Sequence, residues 1–328
     1  MSALTAAPNQ PASQPNPSRK PKLFSFRHIL LATDFSPASE RALGYAITLA
    51  RHYGSELSIV HSIAPERRDP IPLEPLPREL NRAWLEAERH MQDLVEAAPL
   101  RDLNHHSLLE QGPVWGVLAS VIQREKIGLL VLGTRGRGGL KKLALGSVAE
   151  EVLRLAPCAV LTIGPQVPVA LPGGNEFRRI LFASDFGPAA AKAFPYALSL
   201  AEDYRSQLVL LHLAPPMPAP DLSPAAYGPS NYAAEEFAVW QHTMREEGKR
   251  KLQELLPLDS RLAADPQYAV GCDFLPEGIL DVAASRQIEL IVMGANRTSS
   301  PWAAAHLPWA LTHAVISQAK CPVLTVSD

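Results

Sequence analysis

The sequence predicts an α/β fold built twice, as two tandem domains that each contain a five-stranded parallel sheet with helices on both faces. Two observations predict it: an internal repeat, and short apolar segments that alternate with helical ones in each copy. The 328 residues are 47% hydrophobic and 20% charged, with a formal net charge of −2. This composition is ordinary for a globular protein with two cores, and the charge argues against a dedicated nucleic-acid binder.

The internal repeat divides the chain into two copies. The segment Arg27-His-Ile-Leu-Leu-Ala-Thr-Asp-Phe35 returns as Arg178-Arg-Ile-Leu-Phe-Ala-Ser-Asp-Phe186, at an offset of 151 residues. Later, Ala156-Pro-Cys-Ala-Val-Leu-Thr162 returns as Ala319-Lys-Cys-Pro-Val-Leu-Thr325 at an offset of 163, so the second copy is longer by twelve residues. We therefore predict a disordered tail over 1–22, a first domain over 23–164, a Pro/Gly-rich linker over 165–176 and a second domain over 177–328.

Each element of the first copy follows from its local pattern. His28 to Thr33 is a short apolar run that ends at Asp34, which predicts the first strand. The helix after it has apolar residues at helical spacing. The second predicted helix is long and carries an apolar stripe that includes Trp84 and Met91. In chain order, the predicted strands cover 28–33, 57–63, 103–109, 128–132 and 159–163, and the predicted helices cover 37–53, 79–98, 114–123 and 147–155.

Right-handed crossovers between these strands predict where a ligand would bind. They place the ends of the first and fourth strands side by side, at a topological switch point of the sheet. Asp34 and Gly133 lie at those two ends. The sequence therefore predicts a ligand site between them.

A glycine-rich loop begins at this point. Residues 133–147 read Gly-Thr-Arg-Gly-Arg-Gly-Gly-Leu-Lys-Lys-Leu-Ala-Leu-Gly-Ser, which is Gly, two residues, Gly, nine residues, then Gly-Ser before an apolar helix. Glycines let backbone N–H groups approach an anion, and the helix adds its first-turn donors and the positive end of its dipole. Arg135, Arg137 and two lysines add cations. This pattern predicts a phosphate-binding loop in the first copy.

The second copy lacks the corresponding glycines. Gly294-Ala-Asn-Arg297 is followed by no glycine before Cys321, and the segment 298–308 contains prolines and Trp302. Bulky side chains such as Trp302 and Trp309 are expected to fill that pocket, the alternative being a more apolar ligand. We expect one half to bind a nucleotide and the other not.

These motifs resemble a known family. Asp34-Phe-Ser-Pro37, the glycine loop and Ala156-Pro-Cys-Ala-Val-Leu161 together are similar to the universal stress protein (UspA-like) domain, present here in tandem. The resemblance implies Rossmann-like, adenine nucleotide alpha hydrolase-like domains, with the ATP-binding type in the first. It also implies that the last strands of the two domains, 159–163 and 323–326, approach each other as an intramolecular pseudo-dimer. Association of two whole chains stays open.

The resemblance further implies a set of ligand contacts for ATP with Mg²⁺. Asp34 would lie on the ribose and metal side, and the backbone of Ser62 would contact adenine. Arg135 and Arg137 would pair with phosphate oxygens, unless they point to solvent. The remaining contacts, to ribose and phosphates, would come from Gly133, Gly136, Gly146, Ser147 and Val148.

Several of these residues also have structural interpretations. Ser147-Val-Ala-Glu150 has the form of a capping box, the glycines form a possible flexible turn, and Asp34 is a candidate helix N-cap that recurs as Asp185. His61 and His212 are expected to be buried structural residues. The pair His105-His106 is expected at the surface or on an edge strand rather than in a metal site.

The sequence favours a nucleotide-dependent stress-response or signalling module over an enzyme. No P-loop, Gly-x-Ser-x-Gly or His-Glu-x2-His motif is present, so no catalytic residue is assigned and slow ATP hydrolysis is the most we expect. The first alternative is an interaction platform that binds no nucleotide. The second is an adenylylating enzyme, which would show a Ser-Gly-Gly-x-Asp-Ser or His-x-Gly-His segment at the first loop.

Cysteine usage and the amino-terminal residues bear on localisation. Cys158, Cys272 and Cys321 show no CxxC spacing and are expected to be reduced. Residues 1–22 contain no apolar segment long enough for a signal peptide or a membrane span. We therefore expect a cytoplasmic protein without membrane or nucleic-acid partners.

Overall fold

The computed structural model describes residues 26–63, 77–134, 145–169, 177–214, 231–271, 276–295 and 308–327. The predicted tail and most of the predicted linker lie outside these residues, as do Arg135, Gly136 and Arg137. In the described part, strands and helices alternate along both halves of the chain, which confirms the α/β prediction.

The first half contains β1 (His28–Ala32), α1 (Pro37–Tyr53), β2 (Glu56–Ile63), α2 (Pro77–Ala97), β3 (His105–Gln111), α3 (Val114–Glu125), β4 (Leu129–Gly133), α4 (Ser147–Leu155) and β5 (Ala159–Ile163). The second half contains β6 (Arg179–Ala183), α5 (Pro188–Asp203), β7 (Gln207–Leu213), α6 (Asn231–Glu254), β8 (Gln267–Gly271), α7 (Glu277–Ser285), β9 (Leu290–Ala295), α8 (Pro308–Gln318) and β10 (Val323–Ser327).

The predicted element boundaries of the first half coincide with the observed ones or differ from them by one or two residues. Strand β3 begins at His105 rather than Leu103 because the N–H of Leu103 is held in a turn by the carbonyl oxygen of Leu100, at 2.9 Å. Helix α3 continues to Glu125, two residues beyond the prediction, and ends where Lys126 adopts a left-handed backbone with φ 53°. Neither feature changes the order of the elements.

All ten strands form one sheet, in the order β3-β2-β1-β4-β5-β10-β9-β6-β7-β8. Neighbours within each half are parallel, whereas β5 and β10 pair antiparallel, with Leu161 opposite Leu324. Two threonines reinforce this junction: Thr162 Oγ1 donates to the carbonyl oxygen of Val323 at 3.0 Å, and Thr325 Oγ1 to that of Val160 at 3.3 Å. The two halves therefore share one continuous sheet.

Helices cover both faces of the sheet. Side chains of α1, α2, α5 and α6 pack in one core cluster, and those of α3, α4, α7 and α8 pack in another. Successive strand residues alternate between them, so that Leu30 belongs to one cluster and Leu31 to the other. Helices on both faces, as predicted, account for strands that are apolar throughout.

An aromatic contact also joins the two halves, beside the β5–β10 junction. The rings of Phe26 and Tyr196 have centroids 5.9 Å apart, and those of Tyr45 and Phe177 are 6.5 Å apart. Each pair contains one residue from either half, and the pairs exchange under the repeat offset of 151 residues. The contact therefore has the pseudo-two-fold symmetry of a homodimer interface. None of the helices described is both long enough and apolar enough to cross a membrane.

Candidate functional site

The candidate site lies at the topological switch point of the first half. Strand β1 is hydrogen-bonded to β2 on one side and to β4 on the other, with Ala32 opposite both Val60 and Leu132. Because these strands are parallel, their carboxyl ends meet at one edge of the sheet. Asp34, Ser62 and Gly133 are thereby brought to the same edge.

The glycine loop returns to the point where it begins. The N–H of Thr134 donates to the carbonyl oxygen of Ile163 at 3.0 Å, and the N–H of Gly146 donates to the carbonyl oxygen of Thr134 at 2.9 Å. These bonds hold the start of α4 beside the end of β4. Residues 135–144 lie between these anchors and outside the described residues.

Helix α4 begins without a side-chain cap among the described residues. Gly146 is the N-cap residue, and the N–H of Glu150 donates to its carbonyl oxygen at 2.9 Å. Ser147 is the first helical residue and is exposed, while Val148 is half-buried. The predicted capping box of Ser147 and Glu150 is therefore wrong, because the cap position belongs to the preceding glycine. The backbone donors of the first turn are left for another acceptor.

Gly133 has a packing role that does not depend on a ligand. A Cβ atom at this position would lie 2.7 Å from the carbonyl carbon of Ala38, in the first turn of α1. Gly294 occupies the same place in the second half, where a Cβ atom would lie 2.4 Å from the backbone of Ala189. The close approach of helix and strand therefore requires glycine in both halves.

Asp34 forms a local turn rather than the predicted helix cap. Its Oδ1 accepts a hydrogen bond from the N–H of Ser36 at 3.1 Å, and Ser36 is the N-cap residue of α1. In the second half, Asp185 accepts in the same way from the N–H of Gly187 at 2.8 Å. The N-cap interpretation of Asp34 is wrong because Pro37 occupies the first helical position, which places the cap at Ser36.

The side chains at the end of β2 connect neighbouring strands. Ser62 Oγ donates to the carbonyl oxygen of Gly112 at 2.7 Å, and His61 Nδ1 lies 2.8 Å from the carbonyl oxygen of Thr33. His212 repeats the second contact with Ser184 at 2.8 Å. Both histidines are half-buried rather than buried as predicted, and their purely structural role stays a prediction.

The edge strand β3 carries His106 between two carboxylates. Its Nδ1 lies 3.4 Å from Glu56 Oε1, and its Nε2 lies 3.4 Å from Glu125 Oε2. Burial opposes ionisation of Glu125, but the hydrogen bond from Ser58 and the proximity of His106 lower its pKa overall. The predicted edge position of this histidine is confirmed. No cluster of three or more His, Cys, Asp or Glu suited to a metal ion occurs among the described residues.

The second half has a small apolar cavity at its own switch point. The cavity measures about 60 Å³ and is lined mainly by aliphatic side chains, with Asp185 at its edge. Residues 296–307, including Trp302, lie outside the described part, and nothing is described of the Trp309 side chain. Filling of this pocket by side chains stays a prediction.

Comparison with known proteins agrees with the fold and the repeat. The sequence model of the Universal stress protein family matches residues 25–164 and again residues 176–327. The chain belongs to the universal stress protein family. The resemblance inferred from the motifs is thereby confirmed, and two family domains occur in tandem.

Individual relatives and a solved structure resemble parts or most of this chain. A universal stress protein from Thermus aquaticus, encoded in the QAH/OAS sulfhydrylase 3′ region, is 37% identical over 142 residues, which cover 98% of that protein and 42% of this tandem chain. Universal stress protein Rv2623 from Mycobacterium tuberculosis is 30% identical over 188 residues, covering 62% of that protein and 56% of this chain. The crystal structure of a universal stress protein from Archaeoglobus fulgidus aligns over 93% of this chain and 99% of its own, with a TM-score of 0.64 and 18% identity. That last likeness shows the fold alone.

Proposed function

We propose that this tandem universal stress protein binds one ATP molecule, with Mg²⁺, in its first domain and acts as a nucleotide-dependent stress-response or signalling module. The observation that carries the proposal is the uncapped amino terminus of α4, held at the switch point by the hydrogen bond from Gly146 to Thr134. A helix amino terminus after a glycine-rich segment is a suitable site for phosphate oxygens. Bound nucleotide would change the surface that the first domain offers to a protein partner.

The residues at the switch point suit the parts of the nucleotide differently. Ser147 and Val148 would donate backbone N–H groups to phosphates, and Gly133, Arg135, Gly136, Arg137 and Gly146 would complete the loop. Asp34 uses Oδ1 in its turn, but a carboxylate accepts several hydrogen bonds, so this residue can also face ribose or a metal. The backbone of Ser62 would contact adenine. These assignments rest on the family resemblance and on the shared edge of the sheet.

The residues at the switch point of the first domain do not favour efficient catalysis. Phosphoryl transfer needs an oriented nucleophile in addition to charge and positioning. Among the described residues at the switch point, none can be assigned as a general base opposite the terminal phosphate. We therefore propose a binding and signalling role, with slow hydrolysis as the upper limit of activity and the nucleotide-free interaction platform as the competing function.

Substitution of Gly146 tests the proposal cleanly. Its backbone angles, φ −68° and ψ 146°, are accessible to any residue, so Gly146→Val does not strain the chain at that position. We expect this variant to lose the increase in melting temperature that Mg-ATP gives to the wild type. Gly116→Ala is the matched control, because a Cβ atom there meets nothing within 4 Å. No stabilisation of the wild type by Mg-ATP would favour the platform, and equal stabilisation of both proteins would show that the nucleotide binds away from Gly146.

A further inference from the structure

A larger cavity lies on the opposite side of α1 from β4, between α1 and α2. It measures about 490 Å³, within the range of small-molecule sites. Leu43, Ile47 and Leu94 form apolar walls, and Phe35 closes one end. Gly44, which has no side chain, also lines the cavity. An apolar group of several carbon atoms fits such a space.

The charged groups around this cavity are mainly negative. Glu40 and Asp93 line it, and within the described part of the chain neither carboxylate forms an ion pair. Among the described lining residues, Arg51 is the one arginine or lysine, and its guanidinium is bound by both oxygens of Asp102, at 2.8 and 2.7 Å. Because Asp102 neutralises the charge of Arg51, the negative charges of Glu40 and Asp93 favour a cation in the cavity.

The second domain supplies its own cation at the equivalent position. Phe186 corresponds to Phe35, and both residues have left-handed backbones, with φ 60° and 59°. Lys251 Nζ lies 5.7 Å from the centroid of the Phe186 ring, whereas Phe35 has His90 at 5.3 Å between ring centroids. The residues that follow, Leu252 and Met91, are buried, as are Gly248 and Ala87 one turn earlier, so Lys251 and His90 correspond.

The second domain carries different residues at two positions that line this cavity. At the repeat offset of 151 residues, Leu43 and Gly44 correspond to Phe194 and Pro195. The ring of Phe194 is buried, and it packs against Phe182 with centroids 5.2 Å apart. The first domain therefore has smaller residues at these two positions, beside a cavity that is lined by two carboxylates.

We propose that the cavity between α1 and α2 binds an organic cation, namely an ammonium group attached to an apolar or aromatic body. The ammonium would lie near the carboxylates of Glu40 and Asp93, whose negative charges are not matched by an ion pair within the described part of the chain. The apolar body would lie against Leu43, Ile47 and Leu94. This site is separate from the glycine loop, so the proposal does not depend on nucleotide binding.

The charge preference is tested by titrating full-length protein with 4-phenylbutylammonium, and in parallel with 4-phenylbutanol and 4-phenylbutyrate, by calorimetry. We expect the ammonium compound to bind about fivefold or more tightly than the alcohol, and the carboxylate to bind least. The double variant Glu40→Gln/Asp93→Asn is expected to remove that preference. Glu88→Gln, on the exposed face of α2 and outside the cavity, is the matched control and is expected to keep it.

Introducing the lysine of the second domain at the corresponding position of the first gives an independent test. His90 is exposed, so His90→Lys is compatible with the fold, and its ammonium is expected to occupy the position over Phe35. We expect the variant to bind 4-phenylbutylammonium about tenfold more weakly than the wild type. The proposal is overturned by absence of binding at millimolar ligand, by equal affinity for the ammonium and the alcohol, or by unchanged affinity in both His90→Lys and the double variant.

Discussion

At the scale of single residues, packing requires glycine at Gly133, which ends β4, and at Gly294, the last but one residue of β9. We expect Gly133→Ala and Gly294→Ala each to lower the free energy of unfolding by about 1–3 kcal/mol, because the added methyl group meets the backbone of α1 or α5. Urea denaturation without nucleotide measures the loss, with Gly116→Ala as the control. Equal stability of Gly133→Ala and wild type would mean that helix and strand can separate without cost.

The tyrosines at the domain contact give a pH dependence. Burial, reinforced by the nearby Cys321 and Glu289, raises the pKa of Tyr45 to about 12. An unfolded tyrosine ionises near pH 10, so between these values the unfolded chain binds fewer protons than the folded one, and stability falls as pH rises.

Removing the Tyr45 hydroxyl is expected to reduce this loss. Urea midpoints of wild type and Tyr45→Phe at pH 9 and pH 11 measure the effect. We expect the wild type to lose more stability than the variant over this interval, even though the variant also lacks the hydrogen bond from Tyr45 Oη to the carbonyl oxygen of Pro168 at 3.2 Å. Identical losses would show that the raised pKa of this residue does not contribute.

At the scale of elements, sequence periodicity predicted the strands and helices of the first half because their apolar spacing is strong. Sequence periodicity was less accurate where a single hydrogen bond determines the boundary of an element, as at the start of β3. The capping errors had a signal in the sequence: Ser36-Pro37 has the pattern of N-cap and first helical residue, and glycine precedes Ser147.

The cavity between α1 and α2 had no such signal. It depends on how two helices far apart in sequence pack, and on the absence of a side chain at Gly44. The prediction that β5 lies beside β10 came from the family resemblance, because the sequence of a strand does not specify its partner in another domain.

Removal of the second domain would leave one edge of β5 without a partner strand. Every residue of β5 is buried in the full chain, where β10 covers its free edge. A chain truncated after Val169 would expose that edge together with the rings of Phe26 and Tyr45. We therefore expect the truncated chain to form a homodimer through β5 in sedimentation equilibrium at micromolar concentration. A stable, soluble monomer would contradict this expectation.

At the scale of the whole molecule, two domains with one architecture differ in sequence at the switch-point edges of their sheets. Both carry the Asp turn, the histidine contact and the glycine packed on a helix, at Asp34, His61 and Gly133 and their repeats. These shared features are explained by the fold itself. The glycine loop after Thr134 belongs to the first domain alone, so the difference between the domains carries the functional proposal.

The most direct test of this asymmetry is the number of nucleotide sites per chain. We would titrate Mg-ATP into nucleotide-free full-length protein by calorimetry and read the stoichiometry. The account predicts about one site per chain, which Gly146→Val abolishes. Two sites of similar affinity, or no detectable binding, would contradict a single nucleotide site in the first domain.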